Sequence, residues 1–148
     1  MQIDDALISR LKDGVKTIND QHKKIFDFTT DLFAHCVGDD EEENLYFEAV
    51  IGDAAELIKT HFKTEEELML ETKFSFYEYT DHKKEHEEFV CAVNNYIEQF
   101  QASRSTNLLM FASYVKWWVI GHIKRHDRKY INYFNRLTEG SGIEKMRV

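Results

Sequence analysis

Seven histidines stand in this 148-residue chain, and the spacing of several of them suits metal chemistry. His61 and Glu65 are four residues apart, as are His82 and His86. On an α-helix that spacing puts both members of a pair on one face, one turn apart. His22 follows Gln21 near the start of one apolar-periodic segment, and His122 lies near the end of another. Imidazole and carboxylate donors without thiolate suit iron, zinc, manganese or copper, and disfavour an iron–sulfur cluster. A single HxxxE or HxxxH match carries little weight; several that meet in one place carry much more.

Whether they meet depends on the elements that hold them. Apolar residues at helical spacing define four segments. The first runs from about Ile18 to Cys36, with His22, Ile25, Thr29, Leu32 and Cys36 on one stripe. Val37–Asp40 ends it, with Gly38 suited to a helix C-terminus. The second, from about Glu41 to Glu71, aligns Val50, Ala54, Leu57, His61, Glu65 and Leu68. The third, from about Tyr79 to Gln101, aligns His82, His86, Phe89, Val93, Tyr96 and Phe100. After a polar break at Ser103–Asn107, rich in N-cap residues, the fourth carries Leu108, Ala112, Val115, Val119 and His122.

These elements predict an all-α fold, an up-down-up-down antiparallel four-helix bundle. An N-terminal arm, with Gly14 as its end signal, occupies residues 1–17 before the bundle, and a short amphipathic helix at about Arg128–Leu137 follows it. The tail from Gly140-Ser141-Gly142 onward is expected to be flexible. The whole reads as one domain over 1–148, with the bundle at about 18–127 and a C-terminal extension at about 128–148.

Alternating helix directions then bring His22, His61/Glu65, His82/His86 and His122 to the same end of the bundle. All lie on the apolar stripes, so they point inward. Buried polar groups are costly unless satisfied, a lone carboxylate most of all. Metal ions accepting these lone pairs would offset that cost, and so large a donor set suits two adjacent ions better than one tetrahedral zinc. A metal-free histidine–carboxylate network is the alternative.

Composition narrows the partners. The net charge of -8 argues against nucleic acid or an anionic membrane, both of which need basic surface. Part of that acidity, Asp39 to Glu43, suits the positive end of a helix dipole. Cys36 and Cys91 are the only cysteines, form no disulfide framework and are expected to be buried, inert thiols in a reducing cytoplasm. The N-terminus lacks a signal-peptide pattern, and the apolar stretches at Leu108–Val115 and Trp117–Ile120 are too short to span a membrane. A soluble, cytoplasmic protein is the expectation.

Taken together, Gln21-His22, His61-x-x-x-Glu65, His82-x-x-x-His86 and His122-x-x-x-x-Asp127 resemble the hemerythrin family, specifically its single-domain bacterial members, over about Ile18 to Asp127. The resemblance implies two non-haem iron ions (Fe2+/Fe3+) with an oxo or hydroxo bridge. His82, His86 and His122 would bind one iron and His22 and His61 the other, with Glu65 and Asp127 bridging and one position open for dioxygen. Spacing alone would pair His122 with His126; Asp127, five residues on, is about 140° round an ideal helix. The resemblance therefore implies a local distortion or a helix end there. It leaves His126 and His35 outside the ligand set.

The resemblance also implies an apolar oxygen cavity lined by Ile25, Phe62, Trp118, Val119 and Ile123, which would exclude water. The function implied is reversible dioxygen binding, for storage, delivery or sensing, rather than catalysis. An oxygen-requiring enzyme or a signalling protein would be the recipient. The alternative is a di-iron enzyme handling peroxide, nitric oxide or iron repair. Five histidines to two carboxylates argue against the ferritin-like class, which uses more carboxylates. The chain departs from the family pattern in three places. Its acid before Gln21-His22 is shifted by one, giving Asn19-Asp20; the arm lacks a tryptophan; and Val119 replaces a frequent leucine.

Overall fold

The computed structural model describes residues 3–36, 41–103 and 108–148. Helix α1 spans Asp5–His35, α2 Glu41–Glu71, α3 Phe76–Ser103, α4 Leu108–His122 and α5 Arg128–Leu137, with a π-helical turn at Ile123–Asp127 joining the last two. The expected helix end at Val37–Asp40 and the stretch Arg104–Asn107 of the polar break lie outside the described residues. No helix among the described residues is long and apolar enough to cross a membrane.

The helices alternate in direction. Phe47, near the start of α2, packs on Phe100 near the end of α3 and on Phe111 near the start of α4, while Leu32 late in α1 joins the same cluster. His61, His82 and His122 gather at the other end of that cluster. The large apolar core runs from Ile25 and Phe62 beside the histidines to Leu32, Phe47, Phe100 and Leu108. We expect Phe47→Ala to cost about 3–5 kcal/mol in urea unfolding while leaving metal stoichiometry intact, because Phe47 is buried far from the histidines.

Two expectations need correction. First, residues 5–17 are not an arm but the opening turns of α1, which Asp4 caps by accepting from the Leu7 N–H at 2.8 Å. Leu7, Leu11, Val15 and Ile18 recur at helical spacing and are buried. Gly14 interrupts nothing; it lets α2 come close, since a Cβ there would lie 3.1 Å from Leu68 Cδ1. Second, the tail is packed. Met146 is buried with Leu7, Leu11, Val15, Tyr130 and Phe134 in a second apolar core. Asn135 pairs with both backbone groups of Met146, accepting from its N–H at 2.8 Å and donating to its carbonyl at 3.2 Å.

The histidines therefore lie between two apolar cores. Helix α5 closes this second core over the α2–α3 turn. The Tyr133 hydroxyl donates to the Thr72 carbonyl at 2.5 Å, and the Tyr130 hydroxyl meets Thr72 Oγ1 at 3.0 Å.

Candidate metal centre

All seven side chains singled out above, His22, His61, Glu65, His82, His86, His122 and Asp127, are buried, and they form two donor groups that share Glu65. One comprises Glu65, His82, His86, His122 and Asp127, and the other His22, His61 and Glu65. Asp127 reaches the cluster because of the π-helical turn. Arg128 N–H donates to the Ile123 carbonyl, five residues back, which widens the turn so that residues five apart share a face. Asp127 Oδ1 thus lies 2.8 Å from His122 Nε2 and 3.1 Å from His82 Nε2.

Each carboxylate divides its oxygens between the two groups. Glu65 Oε1 is 2.7 Å from His82 Nε2 and 3.5 Å from His86 Nε2, while Oε2 is 3.4 Å from His61 Nε2 and 3.7 Å from His22 Nε2. Asp127 turns Oδ1 to the first group and Oδ2 toward His22 at 3.9 Å.

The imidazoles are held from behind. His86 Nδ1 lies 2.7 Å from Glu66 Oε2, His122 Nδ1 3.0 Å from Glu85 Oε1, His61 Nδ1 2.9 Å from Gln21 Oε1, and His22 Nδ1 2.5 Å from the Arg147 carbonyl. Each of those acceptors takes a proton from Nδ1, so Nε2 presents its lone pair inward. These partners escaped the sequence reading. Glu66 and Glu85 each adjoin a donor residue in the motifs, but which neighbour faces a ring is decided by packing. His126 stays out of the cluster and instead contacts Glu85 Oε2 at 2.5 Å through Nε2.

Hydrogen bonding among these groups alone does not satisfy them. His82 and His86 Nε2 each lie 3.0 Å from His122 Nε2. Two donors about 2.1 Å from one ion and at right angles to each other stand about 3.0 Å apart. His22 Nε2, Glu65 Oε1 and Asp127 Oδ1 are buried with no properly directed hydrogen-bond partner. The donor set therefore fits metal ions better than a self-satisfied network.

Without metal, protons must carry the charge balance. Burial pulls the His82 pKa down, but the charges and contacts of Glu65 and Asp127 outweigh it and raise it to about 10. Burial dominates at His86 and lowers its pKa to about 4, leaving that ring neutral. Burial would raise the Glu65 carboxyl, yet the His82 charge and the neighbouring imidazoles hold it well below the usual carboxylate range. The raised His82 pKa stabilises the metal-free fold fully below about pH 6.5 and ceases to do so as pH rises through about 10. Metal must displace that proton. Binding should release protons near pH 7 and strengthen with pH up to about 10; calorimetry in buffers of different ionisation enthalpy would measure it, and pH-independent uptake would contradict it.

Beside the cluster lies a cavity of about 30 Å³, room for about one small molecule, bounded by Ile25, Phe26, Phe62, Trp118, Val119 and Ile123. All five residues expected to line an oxygen cavity border it, and so do His22, His61, His122 and Asp127. Aromatic faces cover two of the rings: Phe62 stacks on His86 at 3.8 Å and Trp118 on His122 at 4.5 Å. Away from the site, Cys36 is buried, with its thiol pKa pushed up to about 11 by burial and then by the Glu43 charge. Cys91 is exposed, contrary to expectation.

Comparison with known proteins agrees with this geometry. Residues 13–134 match the family model described as the hemerythrin HHE cation binding domain. The chain is 32% identical over 113 residues to the hemerythrin of Phascolopsis gouldii, covering 76% of this chain and 78% of that one. It is 29% identical over 122 residues to the bacteriohemerythrin of Pseudomonas aeruginosa strain PAO1, covering 82% and 76%. A hemerythrin-like protein of Naegleria gruberi is 29% identical over 117 residues, covering 79% and 82%. No solved structure matches the chain at comparable stringency. With a family model spanning most of its length and its buried histidines and carboxylates gathered into two donor groups, the chain belongs to the hemerythrin family.

Proposed function

We propose that this chain binds dioxygen reversibly at a non-haem di-iron centre, and that storage or delivery of oxygen is its role. Membership of the family implies such a centre, and the buried donor cluster is compatible with it. In this reading His82, His86 and His122 would hold one iron and His22 and His61 the other, with the Glu65 and Asp127 carboxylates available to both. When bound, the iron pair supplies the electrons that bind oxygen.

The observation that carries the proposal is where the cavity lies. It borders both imidazoles of the group with fewer protein donors, His22 and His61, and only His122 and Asp127 of the other, which supports a ligand position on the His22/His61 side. The chain's own residues then do three things. Glu66, Glu85, Gln21 and the Arg147 carbonyl fix the rings; Glu65 and Asp127 balance charge; and Ile25, Phe62, Trp118, Val119 and Ile123 keep water away. A cavity wall of apolar residues favours retention of the ligand over proton-dependent turnover.

The test is optical. The protein should hold two irons per chain and, once reduced without air, develop a visible absorption band under oxygen that vanishes when oxygen is removed. Irreversible oxidation, or rapid consumption of added peroxide, would favour the di-iron enzyme instead. In the same assay His61→Ala should lose iron while His126→Ala keeps both ions. Iron loss from His126→Ala alone would overturn the ligand assignment in the turn after α4.

A further inference from the structure

The C-terminal tail is tied to one of the cluster's imidazoles. We propose that residues 144–147 form a positioning strap whose Arg147 carbonyl orients His22 for metal, with Asn19 and Asn135 holding the strap in place. The inference rests on the di-metal reading above.

Five hydrogen bonds to its backbone and one buried side chain hold it. His22 Nδ1 lies 2.5 Å from the Arg147 carbonyl oxygen. Asn19, one helical turn before His22 on the same face of α1, accepts from the Arg147 N–H at 2.7 Å and donates to the Lys145 carbonyl at 3.0 Å. Asn135 on α5 makes the matching pair of bonds to Met146. The Met146 side chain, 2% exposed, anchors the segment in the second core. The backbone of three consecutive residues is thus held by two side-chain amides, and the free carbonyl of the third is presented to the histidine.

This arrangement accounts for one departure noted in the sequence. The family's acid stands where this chain has Asn19. A carboxylate there could accept from the Arg147 N–H but could not donate to the Lys145 carbonyl; an amide does both. The strap also decides the His22 tautomer. With its Nδ1 proton engaged by a carbonyl, His22 offers Nε2, one of the buried atoms otherwise without a partner, to the cluster. His61, the other imidazole of this group, is held by a side chain, Gln21. His22 is held by backbone 125 residues away in sequence.

Loss of a group that orients a metal ligand typically weakens metal binding ten- to a hundredfold. The experiment is an anaerobic iron(II) titration against a competing chelator, run on the full chain, on Asn19→Asp, on Asn135→Ala and on a chain ending at Ile143. Each is repeated with His22→Ala, and helix content is followed by circular dichroism. The strap variants should keep their helix content and bind iron about ten- to a hundredfold more weakly. Adding His22→Ala to a strap variant should cost little beyond His22→Ala alone, because both act through the same ligand.

Unchanged affinity in Asn19→Asp and the shortened chain would overturn the proposal. So would losses that add fully to those of His22→Ala, or that follow loss of helix, since both mark a purely structural role. If the unaltered chain bound fewer than two irons, the di-metal reading would fall and the strap's role with it. Two irons in the unaltered chain together with indifferent strap variants would sink the strap alone.

Discussion

Glu65→Ala should yield a chain that keeps its helices but no longer holds a pair of metal ions. Glu65 is the residue common to both donor groups, with one oxygen within 3.5 Å of His82 and His86 and the other within 3.7 Å of His61 and His22. Removing it deletes a donor from each ion and the negative charge that offsets two adjacent cations. The expected result is a fall from two irons per chain to one or fewer, and loss of the oxygen-dependent absorption band. Glu65→Gln sharpens the test, since the amide keeps the size and one oxygen but neither the charge nor the bridging capacity. Far-UV circular dichroism of the metal-free variant checks that the bundle survives. Two tightly held irons in Glu65→Ala would place the centre elsewhere.

Val119→Phe should do the reverse, leaving both irons in place and abolishing the oxygen adduct. Val119 is 6% exposed and borders the cavity of about 30 Å³ beside His22 and His61, without belonging to the donor set. A phenyl ring exceeds the volume available, so it must fill the cavity or push α4 outward at a cost of about 1–3 kcal/mol. Iron analysis should still return two ions per chain, while oxygen affinity falls at least tenfold. Val119→Leu, which adds one methylene, should fall between. An unchanged oxygen affinity in Val119→Phe would show that ligand enters and sits somewhere other than this cavity.

These two substitutions separate holding metal from admitting ligand, and the separation follows from the layout. The donors come from inward positions of α1 to α4 and the π-helical turn, whereas the cavity is walled by apolar neighbours of those same donors: Phe62 beside His61, and Trp118 and Ile123 flanking His122. One helix turn thus carries both a ligand and part of the wall. A change of one residue in register would exchange the two roles.

Much of this was legible in the chain. The periodicity of α2 and α4 set their bounds to within a residue or so, because their apolar residues recur without a competing signal. The pairs His61/Glu65 and His82/His86 declared themselves because a four-residue spacing fixes a shared face whatever else happens. The first turns of α1 are hidden in the sequence because Gly14 reads as an end signal. A glycine inside a helix means something different when a neighbouring helix needs the space, and here Leu68 supplies that neighbour.

Residue types and short-range spacing, then, determined the all-helical bundle and the donors it would bring together, since both depend on geometry within a few turns of one helix. The π-helical turn that swings Asp127 rather than His126 into the cluster was implied by the family motif and not by helical spacing. The tertiary structure alone decided two things: the second core that buries the site, and the strap from Arg147 to His22. Each depends on contacts or hydrogen bonds that close only when distant parts of the chain are packed. A backbone carbonyl, unlike a side chain, has no residue type by which the sequence could announce it.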